Sequence, residues 1–209
     1  MRTNECGSVV RRVSAALVLI LVVLTSPALA QKADRPAVKV GDEWQFVEYF
    51  GFPPAKPNQT WVVTSITPSG IEGTANGKPQ LLTPDLNIVE SPRLKHSDFR
   101  MLSFPLEVGK KWSCSSNAYN VLNQSPFTVE YDVTVLANER VRVPAGEFDA
   151  FKLEAKGRFG VDGPPGPGAL EETRSYWYAP AARAIVKEEV RNPFRGAYTV
   201  ELVAFKLQP

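Results

Sequence analysis

His96 is the only imidazole in 209 residues, and Cys6 and Cys114 are the only thiols. Nucleophilic hydrolysis of the serine type needs a base that takes a proton near neutral pH. His96 lies in Leu94-Lys95-His96-Ser97-Asp98, a polar stretch that reads as loop, with Asp98 two residues away. No Gly-x-Ser-x-Gly elbow accompanies it, and Ser103, Ser113, Ser115 and Ser116 have no distinguishing context. His96 is therefore expected to be a solvated loop histidine. One His and one mature Cys cannot build a zinc site, and no Asp-rich loop resembles a calcium site, so neither metal nor cofactor is expected. Two acids facing a cleft could cleave a glycan, and Glu171-Glu172, Glu188-Glu189, Asp85 and Glu90 are available. Adjacent acids on a strand point to opposite faces, so the two Glu-Glu pairs are expected to be solvated charges. No catalytic residue is assigned, and the chain reads as non-enzymatic.

Aromatic rings at strand positions are the remaining source of chemistry. Ser175-Tyr176-Trp177-Tyr178-Ala179-Pro180 puts Trp177 on one face of a strand and Tyr176 and Tyr178 on the other. Trp177, Phe151, Phe148 and Trp112 are the candidate ligand-binding residues. One reading makes these rings the core of a sandwich. The other makes them line an apolar cavity inside a curved sheet that takes a lipid or another apolar small molecule.

The elements that must position them are strands. Val129, Tyr131, Val133 and Val135 share one face and Thr128, Glu130, Asp132 and Thr134 the other, the period of a half-buried antiparallel strand. Ala150 to Lys156 repeats the alternation, and Arg140 to Val143 reads as a third strand. Further strands are expected at Glu43 to Tyr49, Thr60 to Ile66, Ile71 to Ala75, Phe99 to Phe104, Thr173 to Tyr178, Ala184 to Val190 and Tyr198 to Leu207. Asn76-Gly77 is a type I′ hairpin signal, and Pro144-Ala145-Gly146-Glu147 turns the chain between strands of matched polarity. Asp162 to Gly168 is a Pro/Gly run that reads as an exposed connection. The fold class is all-β: an antiparallel curved sheet, half-barrel or sandwich of about ten strands. Val40-Gly41-x-x-Trp44 and Val108-Gly109-x-x-Trp112 echo one another, through either a duplicated sheet start or a chance recurrence of a turn before an aromatic strand.

The amino terminus carries Arg11-Arg12, an apolar run from Ala15 to Leu24 and Ser26-Pro27-Ala28-Leu29-Ala30. These are the three parts of a secretory signal peptide, residues 1–30, with its own short helix and cleavage expected between Ala30 and Gln31. The run is too short to cross a bilayer, so no integral membrane protein is expected after cleavage. Residues 31–39 read as a flexible leader and residues 40–209 as one β domain. Arg2, Arg11, Arg12 and Glu5 leave with the signal, so of 24 basic and 22 acidic residues 21 of each remain. A neutral mature chain without a basic run gives nucleic-acid binding no electrostatic support. Cys114, alone in an oxidising compartment, is expected to be buried and inert.

The run Val143-Pro144-Ala145-Gly146-Glu147-Phe148-Asp149-Ala150-Phe151-Lys152-Leu153, preceded by Phe104 to Trp112 and followed by Tyr176-Trp177-Tyr178-Ala179-Pro180 and Glu201 to Phe205, resembles a group of exported bacterial β proteins of unknown function. The resemblance covers about residues 40 to 207. It implies an envelope location, periplasmic or secreted, and an antiparallel architecture like the half-barrels of lipoprotein carriers and sensors. It carries no catalytic residues. The functions kept in view are a non-enzymatic envelope protein holding an apolar ligand or lipid, a module that docks an envelope protein by a sheet edge, and a carboxylate-dependent glycan hydrolase.

Overall fold

A computed structural model describes residues 32–52, 56–161, 169–192 and 196–209. The signal peptide with its Ala30-Gln31 cleavage point and the Pro/Gly run 162–168 lie outside the described residues. Among the described residues fourteen strands follow one another: β1 (Lys32–Ala33), β2 (Glu43–Tyr49), β3 (Gln59–Thr67), β4 (Gly70–Ala75), β5 (Lys78–Leu82), β6 (Ile88–Glu90), β7 (Leu94–His96), β8 (Leu106–Glu107), β9 (Lys111–Asn120), β10 (Ser125–Val143), β11 (Gly146–Val161), β12 (Leu170–Ala179), β13 (Ala184–Asn192) and β14 (Gly196–Lys206). The one helical element among the described residues is the 3-10 turn Pro180–Ala182. All pairings are antiparallel, and twelve strands close into a barrel in the order β10-β11-β12-β13-β14-β2-β3-β4-β5-β6-β7-β9.

The all-β antiparallel reading therefore holds, but the half-barrel or sandwich of about ten strands is replaced by a closed barrel. The difference lies in residues 78 to 120. β6 and β7 are three residues each, and β7 closes the ring by pairing Leu94 with Asn120, Lys95 with Tyr119 and His96 with Ala118. β9 shows no hydrophobic alternation, because its buried positions are Cys114, Ser116 and Ala118, all small. Phe99 to Phe104, expected as a strand, forms no ladder. Met101 and Leu102 from this segment are buried, and Leu102 exchanges two backbone bonds with the Asn87 amide (2.7 and 2.8 Å). The segment thus plugs one end of the barrel. The expected leader also packs: β1 pairs with β8, and Ala33 is buried among Leu102 and Leu106.

Elsewhere the local signals translate directly. Thr128 to Val135 and Arg140 to Val143 merge into β10, interrupted by a bulge between Val135 and Ala137. Asn76 and Gly77 both have positive φ, 52° and 73°, as a type I′ turn requires. Beyond the β10 bulge the hairpin tip folds back, Ala145 N–H donating to the Leu202 carbonyl at 3.0 Å. Val141, Val143 and Phe148 there join Trp44, Trp177, Val186 and Leu202 in one core, while Val129 to Val135, Leu153, Tyr176 and Tyr178 form a second.

The Val-Gly-x-x-Trp echo is structural. Gly41 and Gly109 have φ of 88° and 89°. Gly41 N–H donates to Val63 O, and Val63 N–H donates to Asp42 O; Gly109 N–H donates to Val135 O, and Val135 N–H to Lys110 O. Each glycine turn docks on the strand that its own strand then pairs with, and only glycine takes this φ without a Cβ penalty.

Candidate functional site: a barrel lumen with a charged end

A cavity of about 580 Å³ runs through the barrel. Trp44, Trp61, Leu82, Phe99, Phe127 and Phe159 supply much of its apolar wall. Met101, Leu102 and Arg183 lie at the plugged end, and Asn120, Asn123, Ser125 and Pro126 bring the lining to the β9–β10 turn. Asn123 and Pro126 are exposed, so the cavity opens at that rim.

Its polar wall is built by register. Tyr131 on β10, Gly157 on β11 and Glu172 on β12 are successive cross-strand partners. A Cβ on Gly157 would run into the Glu130 carbonyl oxygen and the Tyr131 ring, so the glycine is what lets that ring lie across the β11 backbone. From there the Tyr131 hydroxyl donates to Glu172 Oε1. Arg174 Nε donates to the same oxygen, and its Nη1 reaches Glu188 Oε1 at 3.2 Å. The Glu172 side chain is 1% exposed, against 25% for Arg174 and 21% for Glu188. Burial raises the Glu188 carboxyl above its usual range, with Arg174 pulling the other way and Glu172 adding to the rise. Burial also raises the hydroxyls of Tyr131 and Tyr176, so both are neutral donors at pH 7.

The expectation of two solvated Glu-Glu pairs is corrected here. Alternation does send the partners to opposite faces, leaving Glu171 and Glu189 exposed, but Glu172 and Glu188 turn into the lumen. The solvated loop histidine is corrected too. His96 ends β7, lines the cavity and stacks on Phe99 with ring centroids 4.4 Å apart. Its Nδ1 lies 3.2 Å from Ser116 Oγ, the contact of a nucleophile and its base. Ser116 is 1% exposed and does not line the cavity. Burial, reinforced by the nearby Arg174 cation, lowers the His96 pKa to about 4, which makes it a weak base at pH 7.

That shift has a measurable consequence. Between about pH 4 and 6.5 the unfolded chain protonates His96 and the folded chain does not, so stability falls as pH is lowered through this window and is insensitive to His96 above it. The full shift corresponds to about 3 kcal/mol. His96→Gln is expected to remove most of this slope. The difference between wild-type and variant urea-unfolding free energies measured from pH 4 to 7 isolates it from the opposite-signed contribution of Glu188.

None of the four aromatic candidates lines the lumen. Trp177 lies on the strand face opposite Tyr176, between Lys152 (4.9 Å) and Lys187 (5.2 Å), its Nε1–H donating to Glu139 at 2.8 Å. Phe148 packs 5.9 Å from Phe205, and Phe151 is 1% exposed opposite Tyr178. Trp112 donates to the Arg100 carbonyl and carries Lys110 over its ring. The lumen rings Trp61 and Phe99 sit in stretches where no strong alternation marks an inward face, whereas Phe127 and Phe159 continue the inward faces of β10 and β11. Phe127, immediately before the alternating run of β10, carried the nearest available signal. Cys114 is buried as expected, with its thiol pKa raised by burial. No cluster of three or more metal-ligating side chains occurs among the described residues. No helix among them is long and apolar enough to cross a membrane.

No protein-family profile and no curated protein matches the chain. The barrel has a counterpart among solved structures. It is similar in fold to a candidate lipoprotein from Parabacteroides distasonis, with a TM-score of 0.54 at 14% identity over 83% of this chain and 99% of that one. A candidate exported protein with a YmcC-like fold from Bacteroides fragilis aligns over the same shares at 16% identity and a TM-score of 0.49. At such identity the likeness to the first is one of fold alone.

Proposed function

We propose that the protein is an exported, non-enzymatic component of a bacterial cell envelope, periplasmic or secreted, that holds one apolar or amphiphilic molecule in its barrel lumen. The cavity carries this reading. At about 580 Å³ the cavity falls within the range of about 300 to 1,000 Å³ typical of pockets that hold one small molecule. The wall is aromatic and aliphatic, while the Tyr131, Glu172, Arg174 and Glu188 cluster offers fixed polar groups to a head. The fold likeness to a candidate lipoprotein and the signal-peptide pattern support the location.

The other two readings find less support. Edge docking needs a free edge, and closure of the barrel leaves unpaired edges among the described residues chiefly at the two-stranded β1–β8 sheet and the tip of the β10–β11 hairpin. A glycan hydrolase needs two carboxylates flanking substrate, and here Arg174 bonds both lumenal carboxylates. Native mass spectrometry of protein purified from its own periplasm is expected to show a co-purifying small molecule. After its removal, the apolar dye phenylnaphthylamine is expected to bind with one-to-one saturation, and Leu94→Trp, which fills the lumen, to abolish that signal. An empty protein that takes up no dye overturns the proposal.

A further inference from the structure

We propose that the open rim of the barrel docks on an anionic lipid bilayer. The connections after β2, β4, β6 and β9 lie at the end of the barrel where the lumen opens, opposite the plug of Met101 and Leu102. Three large apolar side chains are exposed on two of them: Phe50 (54%) and Phe52 (93%) after β2, and Leu122 (71%) after β9. In the twelve-strand ring the β2–β3 and β9–β10 junctions are half a circumference apart, so the apolar tips stand on opposite sides of the mouth. Two tips so placed meet a flat surface together, whereas a groove-bound peptide or a small convex partner touches one. Phe52 and Leu122 are the two most exposed large apolar side chains among the described residues, and both stand at the mouth, where such exposure marks an interaction surface.

Charge identifies the surface. Along the arc between the tips stand Lys56 before β3, Lys78 at the start of β5 and Arg93 between β6 and β7, all exposed; the Arg93 side chain is 59% exposed even while bonding Glu48. Apolar tips that enter the acyl boundary, with Lys and Arg at headgroup level, are the two components of reversible binding to anionic membranes. Such docking places the mouth against the bilayer, where an acyl chain passes between lipid and lumen without crossing water. The inference stands on the rim's exposure and charge and survives an empty lumen.

The test is vesicle flotation of the exported, processed protein. Binding is expected to vesicles of phosphatidylcholine with phosphatidylglycerol at about three to one, and to weaken with salt and with pure phosphatidylcholine. Phe52→Glu combined with Leu122→Glu is expected to weaken it more than about tenfold, since burying each side chain is worth at least that factor. Both sites are exposed, so thermal unfolding and lumenal dye uptake are expected to be unchanged. Absence of vesicle binding, undiminished binding by the double variant, or a concentration-dependent dimer that the same substitutions abolish would each overturn the proposal. Dye uptake without vesicle binding sinks the rim alone, and the converse sinks the lumen alone.

Discussion

Arg174→Leu is expected to destabilise the protein by about 3 to 5 kcal/mol, the cost of leaving buried carboxylates without their cation. Arg174 Nε bonds Glu172, whose side chain is 1% exposed, and its Nη1 bonds Glu188. Leucine roughly preserves the aliphatic stem but removes every donor, so the desolvation cost already incurred by Glu172 is no longer offset by the guanidinium. The Tyr131 hydroxyl still donates to Glu172, which limits the loss without cancelling it. Urea unfolding at pH 7 measures the effect. Adding Glu172→Gln and Glu188→Gln to Arg174→Leu is expected to recover more than half of it, because a neutral lumen has no charge to compensate. A single variant as stable as wild type, or a triple variant no better than the single one, would show that the cluster contributes nothing through its charges.

A second large effect is expected at Asp42, at the plugged end. Asp42 is fully buried and accepts bonds from Lys39 N–H (2.9 Å), Gln208 N–H (2.7 Å) and Arg183 Nη1 (3.0 Å). One carboxylate thereby ties the turn before β2, the end of the chain after β14 and the residue that follows the 3-10 turn. Arg183 has φ of 53°, a left-handed conformation that costs a non-glycine residue about 1 kcal/mol or more and that the surrounding bonds hold in place. Asp42→Ala unpairs the guanidinium and two backbone donors at once, for an expected loss of about 3 to 5 kcal/mol. Asp42→Asn keeps acceptors for the backbone donors and is expected to lose about half as much. Thermal unfolding of both variants checks the order, and hydrogen exchange is expected to show early opening of the last residues of β14 in the alanine variant.

Asp42 shows how far local reading of a chain reaches. Its position after Val40-Gly41 marks a tight turn, and the recurrence at Val108-Gly109 marks a second, so both turns were legible. That Asp42 accepts from residues 141 and 166 positions further along was not, because nothing local distinguishes a buried aspartate from a solvated one. The same division runs through the lumen. Period-two alternation in β10 and β11 predicts that Tyr131 and Val133 face one way. Gly157 within that pattern looks like a weakness in a strand, and only the pairing Tyr131–Gly157–Glu172 shows it to be the gap over which a ring is laid.

The residues alone determined the all-β class, the main strands and their tight turns, and the placing of Glu171 opposite Glu172 and of Glu188 opposite Glu189. These follow from backbone geometry over a few neighbouring positions, where side chains alternate and glycine or asparagine permits positive φ. Tertiary structure decided that the sheet closes, that Phe99 to Phe104 plugs it, and that Glu172, Glu188 and His96 face inward while Trp177, Phe148, Phe151 and Trp112 do not line the lumen. Closure depends on the pairing of β7 with β9, three residues against a strand whose buried side chains are a cysteine, a serine and an alanine. Side chains so small leave little hydrophobic periodicity, so the contact that turns a curved sheet into a container arises from long-range pairing rather than from any local pattern.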